Sequence, residues 1–354
     1  MPRLSLPSLN KTIATAAGAA VLAASLSAAT SAQAQIAFAL RANFNPATGT
    51  AGANLISFNV ATPTILLSDI SLSGATSFVD TIDFRVTNGV LYGYAAPGGG
   101  QTPGSVYTIN TTTGLTTLLP GTRETGGTST NLVGMDFNPT TGTGQSTAFR
   151  VVSAAGENLV YTVAPSGPPA GLPGVAALQY AAGDPGASSG MILGVVDNAY
   201  TNNFIGATTT QQYGIDYQTD SLVTIANNAG TLTTVGGTLG NLGVTINKAG
   251  GYVGFDIFST FGAAGLTNNT AYALLDVTPG TDVAGTLTNL YSVNLTTGAA
   301  TSLGRVGGAN APGQIYSLAV TPQAVAPEPG SLALLLPVMG AVGMVIRRRT
   351  SRKV

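Results

Sequence analysis

The sequence predicts an all-β fold, a β-propeller-like ring of five four-stranded blades, and three observations predict it. Short β-branched or aromatic runs alternate with Gly, Asn, Pro and Thr turns, and no amphipathic helix interrupts them. One unit recurs along the chain: an apolar-Asp-apolar strand, an aromatic-bearing strand, then a hairpin. The two ends of the strand-rich region supply complementary fragments of one more unit. A β-sandwich or β-solenoid is the alternative that this strand pattern leaves open.

Taken in order, residues 38–41, 55–58 and 64–70 read as three strands lacking a first. The first full unit has Asp83 in its opening strand, then a strand at 91–94 and a hairpin of 106–110 and 115–119. Asp136 opens the next unit and is followed by a strand at 149–152. The long gap between Asp136 and Asp256 fits one degenerate copy, and Asp197 marks it, with strands at 213–216 and within 221–235. Asp256 opens the last unit, followed by 271–274 and a hairpin of 290–294 and 299–303. Four short strands over roughly 50 to 60 residues are the size of a propeller blade. Residues 315–320 resemble a first strand with no successors. Joined to the N-terminal three, they close the ring and remove its exposed edges. An Asp reused at one place in several units reads as a turn or strand-edge hydrogen-bonder rather than a catalyst. The aromatics Tyr92, Tyr107, Tyr213, Tyr272 and Tyr291 read as packing between blades.

Only 8% of the 354 residues are charged, and the net charge of −1 hides an uneven distribution. The body, 35–327, has six basic residues against 13 acids, a net charge of −7, while both ends are basic. Nucleic-acid binding needs a basic patch, and the body has none. Absent cysteine excludes disulfides and thiolate chemistry, and absent histidine removes the usual general base and transition-metal ligand. Chemistry on carboxylates, Tyr or Lys remains open.

The ends report on export. Arg3 and Lys11 precede an alanine-rich apolar run over 13–29, and Ala32-Gln33-Ala34 follows. That is the order of a secretory leader, with signal peptidase expected to cut after Ala34 and leave Gln35 first. At the other end, Pro327-Glu328-Pro329 precedes an apolar segment over 331–346 and then Arg347, Arg348 and Arg349. About 16 helical residues span about 24 Å, a short transmembrane helix that snorkelling arginines can extend. The arginines should stay cytoplasmic and the body outside. The expected organisation is a leader (1–34), an exported domain (35–322), a linker with the Pro-Glu-Pro motif (323–330), a membrane helix (331–346) and a basic tail (347–354).

This tripartite end, over 327–354, resembles the PEP-CTERM sorting signal of Gram-negative bacteria. The resemblance implies cleavage by an exosortase-type membrane protease and an association with exopolysaccharide and biofilm. The chain would be anchored transiently in the inner membrane, then reach the cell surface or extracellular matrix. The alternative is an unprocessed C-terminal anchor. The body runs 149–153, 156–159, 180–185, 199–204, 207–210 and 213–216 resemble a bacterial domain-of-unknown-function family found on exported proteins. The resemblance is strongest over 149–235 and looser over 36–322, with an insert at 43–53 departing from the pattern. It implies one continuous domain and carries no activity.

Asp184, Asn202, Asn203 and Asp216 form the best polar group for a ligand, since their oxygens suit Ca²⁺ or hydroxyl-rich glycans. No EF-hand series is present, so such a site would be assembled across blades, and the turn reading is the stronger one. No cofactor is expected beyond possible calcium. The expected function is a non-enzymatic surface or matrix binding module engaging exopolysaccharide. The alternatives are a carboxylate-based or calcium-dependent hydrolase using Glu157 with Asp136 or Asp184, and a structural surface protein.

Overall fold

The computed structural model describes residues 35–45, 50–75, 78–97, 104–120, 132–163, 170–171, 175–249, 252–261, 267–277, 288–308 and 314–323. The predicted leader, Pro-Glu-Pro motif, membrane segment and arginine tail lie outside them. No helix among the described residues is long and apolar enough to cross a membrane.

The strands assemble into five sheets arranged as propeller blades, so the sandwich and solenoid alternatives do not hold. Blade 1 contains β1 (Ile36–Asn45), β2 (Thr50–Asn59) and β3 (Leu66–Ser71). Blade 2 is β4 (Thr81–Arg85), β5 (Val90–Ala95), β6 (Ser105–Ile109) and β7 (Thr116–Leu118). Blade 3 is β8 (Val133–Asn138), β9 (Ala148–Ser153), β10 (Asn158–Thr162) and β11 (Ala170–Gly171). Blade 4 has a fifth strand: β12 (Gln179–Tyr180) runs parallel to β16 (Thr231–Thr234), outside β13 (Val195–Tyr200), β14 (Gln212–Asp216) and β15 (Ser221–Ala226). Blade 5 is β17 (Val253–Phe261), β18 (Thr267–Asp276), β19 (Thr288–Val293) and β20 (Ala300–Arg305). β21 (Ile315–Val320) then returns as the innermost strand of blade 1.

That return closes the ring as the leftover strands predict. β21 pairs antiparallel with β1, from Ala37 opposite Val320 to Arg41 opposite Ile315, across a bulge at Ala39 and Leu40. Outside the ladder, the Thr321 N–H donates to the Ile36 carbonyl and Gln35 Nε2 donates to the Thr321 carbonyl at 2.7 Å.

Each blade boundary has its own apolar cluster. Phe38, Leu40 and Leu55 of blade 1 meet Ile82, Phe84 and Tyr107 of blade 2. Tyr92 and Tyr94 meet Phe137 and Phe149 between blades 2 and 3, with the Tyr92 and Phe137 rings 5.0 Å apart edge to face. Equivalent clusters join blades 3 and 4, 4 and 5, and 5 and 1. The recurring aromatic of the second strand is therefore interface packing at Tyr92. Tyr213 and Tyr272 are only partly buried, packed at the margins of their clusters.

The hairpins follow from local chemistry. Asn110 Oδ1 accepts from the N–H groups of Thr112 and Thr113, and the Gly114 N–H returns to the Asn110 carbonyl. Asn294, Thr296, Thr297 and Gly298 repeat the arrangement in blade 5. Gly114 and Gly298 close these turns at φ +71° and +85°, in the left-handed region that glycine tolerates.

Toward the axis, strand crosses strand closely. A Cβ on Gly134 would lie 2.1 Å from Asp197 Oδ1, so only glycine lets β8 and β13 meet there. Where β21 meets β4, Ser317 Oγ accepts from the Ile82 N–H at 2.9 Å. Ser317→Ala should leave that buried N–H without an acceptor and cost about 1–3 kcal/mol of stability. Urea denaturation of the two proteins measures it, and an unchanged midpoint would exclude the link from ring closure.

Candidate functional site

Four of the five innermost strands carry an aspartate at the axis, and each reaches the next strand round. Asp83 accepts from its neighbour Phe84 N–H and, through Oδ2, from Phe137 N–H of β8 at 2.8 Å. Asp136 Oδ2 accepts from Tyr200 N–H of β13. Asp197 accepts from Asn198 N–H and from Phe255 N–H of β17 at 2.8 Å. Asp256 accepts from Ile257 N–H and from Val320 N–H of β21 at 2.5 Å. Ser317 takes the fifth place, and Thr81 adds an acceptor for Met135 N–H. The repeated acids thus hydrogen-bond backbone, as their recurrence predicts, and their partners lie one blade away.

Burial decides their electrostatics. All four are at most 2% exposed. Burial pushes Asp83, Asp136 and Asp197 well above the ordinary carboxylate range and Asp256 up to about 7. Mutual repulsion adds to the rise at Asp83 and Asp136, and the backbone donors oppose it.

A second polar site lies between blades 3 and 4. A cleft of about 220 Å³ has Asn138, Thr141, Arg150, Tyr200, Asn227 and Asn228 in its wall. The Arg150 guanidinium donates through Nε to Tyr200 Oη (2.9 Å), through Nη1 to Asn158 Oδ1 (2.5 Å) and through Nη2 to Asn228 Oδ1 (2.9 Å). All three partners are neutral. Asp136 stands opposite Arg150 in the β8–β9 register, yet the two form no ion pair. These bonds use three of the five guanidinium N–H groups. Asn227 Oδ1 is a buried acceptor with no partner. The cleft wall thus holds a positive charge whose hydrogen-bond partners are all neutral. Composition did not single out Arg150; the excess of acids over bases in the body was the signal that made any buried arginine unusual.

The residues singled out from sequence divide into two places. Asp184 caps the short turn Pro185–Ser188, accepting from Gly186 N–H, Thr234 N–H and Thr234 Oγ1. Burial pushes its carboxyl up, but those donors outweigh it and the net direction is down. Asp216 accepts from Tyr180 Oη and from the N–H groups of Gln218 and Thr219. Asn202 and Asn203 turn instead toward blade 5. The Asn202 N–H and side chain bond Asn269, and the Asn203 N–H donates to Ser259 Oγ. Three of the four thus have their side-chain oxygens engaged by turns or by Asn269; Asn203 Oδ1 is buried without a partner. Glu157 accepts from Ser153 Oγ beside the β9–β10 turn. Neither the Arg150 cleft nor a shallower one of about 470 Å³ along β18 and β19 has an acid in its wall.

A family described as a domain of unknown function, DUF4394, matches residues 54–319. The chain belongs to this family. No curated protein matches it at a significant level. Among solved structures, TolB from Acinetobacter baumannii is 12% identical, with a TM-score of 0.38, over 90% of this chain and 75% of that one. A protein assigned as a 6-phosphogluconolactonase from Bacteroides fragilis is 11% identical, with a TM-score of 0.35, over 78% and 83%. Overlaps this loose transfer no activity to this family member.

At the start of the inner strands lies a cavity of about 20 Å³, lined by Asp80 and by apolar and aromatic side chains that include Leu132, Val133, Val196, Tyr252 and Tyr316. This apolar setting pushes Asp80 up to about 7, although Ala96 N–H donates to Oδ2 at 2.7 Å. A raised folded-state value means that Asp80 adds stability below about pH 4, which is lost as pH rises through about 7. Asp80→Asn keeps the acceptor without the charge. It should gain on the wild type across that window, reaching about 2–4 kcal/mol at pH 8. Urea midpoints between pH 4 and 8 check this, and parallel profiles would refute it.

Proposed function

We propose that this DUF4394 chain is an exported surface or matrix module that binds acidic exopolysaccharide through the Arg150 cleft, without catalysis. The observation that carries the reading is the guanidinium of Arg150, bonded to three neutral groups at the wall of a cleft. A glycan carboxylate complements a guanidinium charge that no acid neutralises, and sugar hydroxyls complement asparagine amides and a threonine. The net charge of −7 on the body makes this cleft the preferred place for an anion, since long-range attraction elsewhere is unfavourable.

The ends of the chain support the delivery half of the reading. The Ala32-Gln33-Ala34 leader boundary, the Pro327-Glu328-Pro329 motif and the Arg347–Arg349 cluster fit export, exosortase-type processing and release into the matrix. A hydrolase using Glu157 with Asp136 or Asp184 has less support. Asp136 is committed at the axis, Asp184 caps a turn, and Glu157 meets Ser153.

The test uses the exopolysaccharide of the producing bacterium and the same material with its carboxyl groups reduced. The chain should bind the native polymer saturably and lose at least about 10-fold in affinity for the reduced one, as for loss of a charged hydrogen bond. Arg150→Gln should lose a similar factor. Equal binding of both polymers would remove the cleft from recognition.

A further inference from the structure

We propose that the carboxylates of Asp83, Asp136 and Asp256 bind one calcium-sized cation at the centre of the ring. One oxygen from each lies within 4.8 Å of the corresponding oxygens of the other two. Three oxygens spaced evenly round one calcium ion at about 2.3–2.6 Å stand about 4.0–4.5 Å apart, inside that limit. Magnesium demands near-ideal octahedral geometry and is usually held by only one or two carboxylates, so a trio of buried carboxylates favours calcium.

A second observation points to a ligand. Asp136 is 1% exposed, and its Oδ1 has no partner, while Oδ2 accepts from Tyr200 N–H. Asp83, Asp197 and Asp256 each have both oxygens engaged by N–H groups. Asp136 Oδ1 is therefore the one open acceptor on the ring. Leaving a buried charged acceptor unpaired is more costly than leaving a neutral one.

Among the described residues, no ion pair joins a basic side chain to Asp83, Asp136 or Asp256; Arg41 pairs with Asp69 and Lys248 with Asp220. Protons are the competing remedy. A proton on Asp136 Oδ1 would have to be donated to an oxygen that already accepts an N–H, through that oxygen's second lone pair. The N–H donors favour the charged form, and a cation neutralises it without displacing any of them. Calcium takes six to eight oxygens, so the three carboxylates would anchor its shell rather than fill it. The three aspartates are at most 2% exposed, so loading would accompany ring closure during folding. None of this depends on what the Arg150 cleft binds.

The test is refolding of the full chain from denaturant in mild detergent, with calcium, with magnesium or with chelator. After removal of free ions, elemental analysis should find one calcium per chain. The unfolding midpoint should lie about 5 °C above that of the chelator sample when calcium is about 100-fold above its Kd. Asp136→Asn keeps an oxygen for Tyr200 N–H and should retain no calcium, with the same midpoint in all three conditions. Asp197→Asn, outside the trio, should be less stable throughout yet still retain one calcium. A folded wild-type chain that retains no calcium and melts alike in calcium and chelator overturns the proposal. Equal retention by Asp136→Asn, or equal stabilisation by magnesium, also overturns it. If Asp136→Asn does not fold, the wild-type refolding series alone decides.

Discussion

In a propeller, the innermost strand of every blade is an edge strand that happens to be buried. Its axis-facing N–H groups have no neighbouring strand to bond, and beside the buried aspartates of this axis each would be an unsatisfied donor. This chain meets that constraint with side chains borrowed from the adjacent blade. Asp83 serves Phe137, Asp136 serves Tyr200, Asp197 serves Phe255, Asp256 serves Val320 and Ser317 serves Ile82. The five links form a circle, and the last two run through β21. The antiparallel clasp of β21 on β1 therefore has two roles: it completes blade 1, and it supplies both the serine that serves blade 2 and the N–H that serves blade 5.

Satisfying the backbone this way concentrates acid where it is hardest to keep. Four aspartates share a buried axis, and their raised proton affinities express the conflict between desolvation and the donors that want the anion. A serine in the fifth position keeps the hydrogen bond and omits a fifth charge. Asparagine would also accept, but it brings an NH₂ that needs acceptors of its own on a strand that offers few. The fold thus trades local satisfaction for central charge, and the surroundings must answer for that charge by proton or cation.

What was legible in the sequence follows the range of the interaction. The Asn110 and Asn294 hairpins depend on contacts within four residues, so their turn chemistry could be read directly. The incomplete first unit and the orphan strand at 315–320 could be joined because an edge left open is costly wherever it occurs. Asp83, Asp136, Asp197 and Asp256 were legible as a repeat and as backbone acceptors. Their true donors were not, because strand offset at the axis varies: Asp83 meets the residue after Asp136, whereas Asp197 meets the residue before Asp256. The group of Asp184, Asn202, Asn203 and Asp216 looked convergent because it is polar and dense in sequence. Turns and an asparagine on blade 5 instead consume most of those groups. Arg150 was missed because its meaning lies in its partners, which come from Asn158, Tyr200 and Asn228 on two blades. The two-residue strand β12 has no periodicity to read at all.

Tyr200 shows how the two polar sites remain distinct while sharing a wall. Its N–H faces Asp136 at the axis and its hydroxyl receives Arg150 at the cleft. Asp136 and Arg150 are register partners on adjacent strands, and both are buried, yet no ion pair joins them. Here, a shift of the Asp136 carboxylate toward the guanidinium would withdraw the acceptor from Tyr200 N–H and open one link of the circle. A shift of Arg150 toward the acid would release Asn158 and Asn228, and with them the β15–β16 hairpin that forms the cleft wall. The ring constraint therefore holds the opposite charges apart. Separation leaves an anion-seeking group at the cleft and a cation-seeking group at the axis, with one buried tyrosine between them.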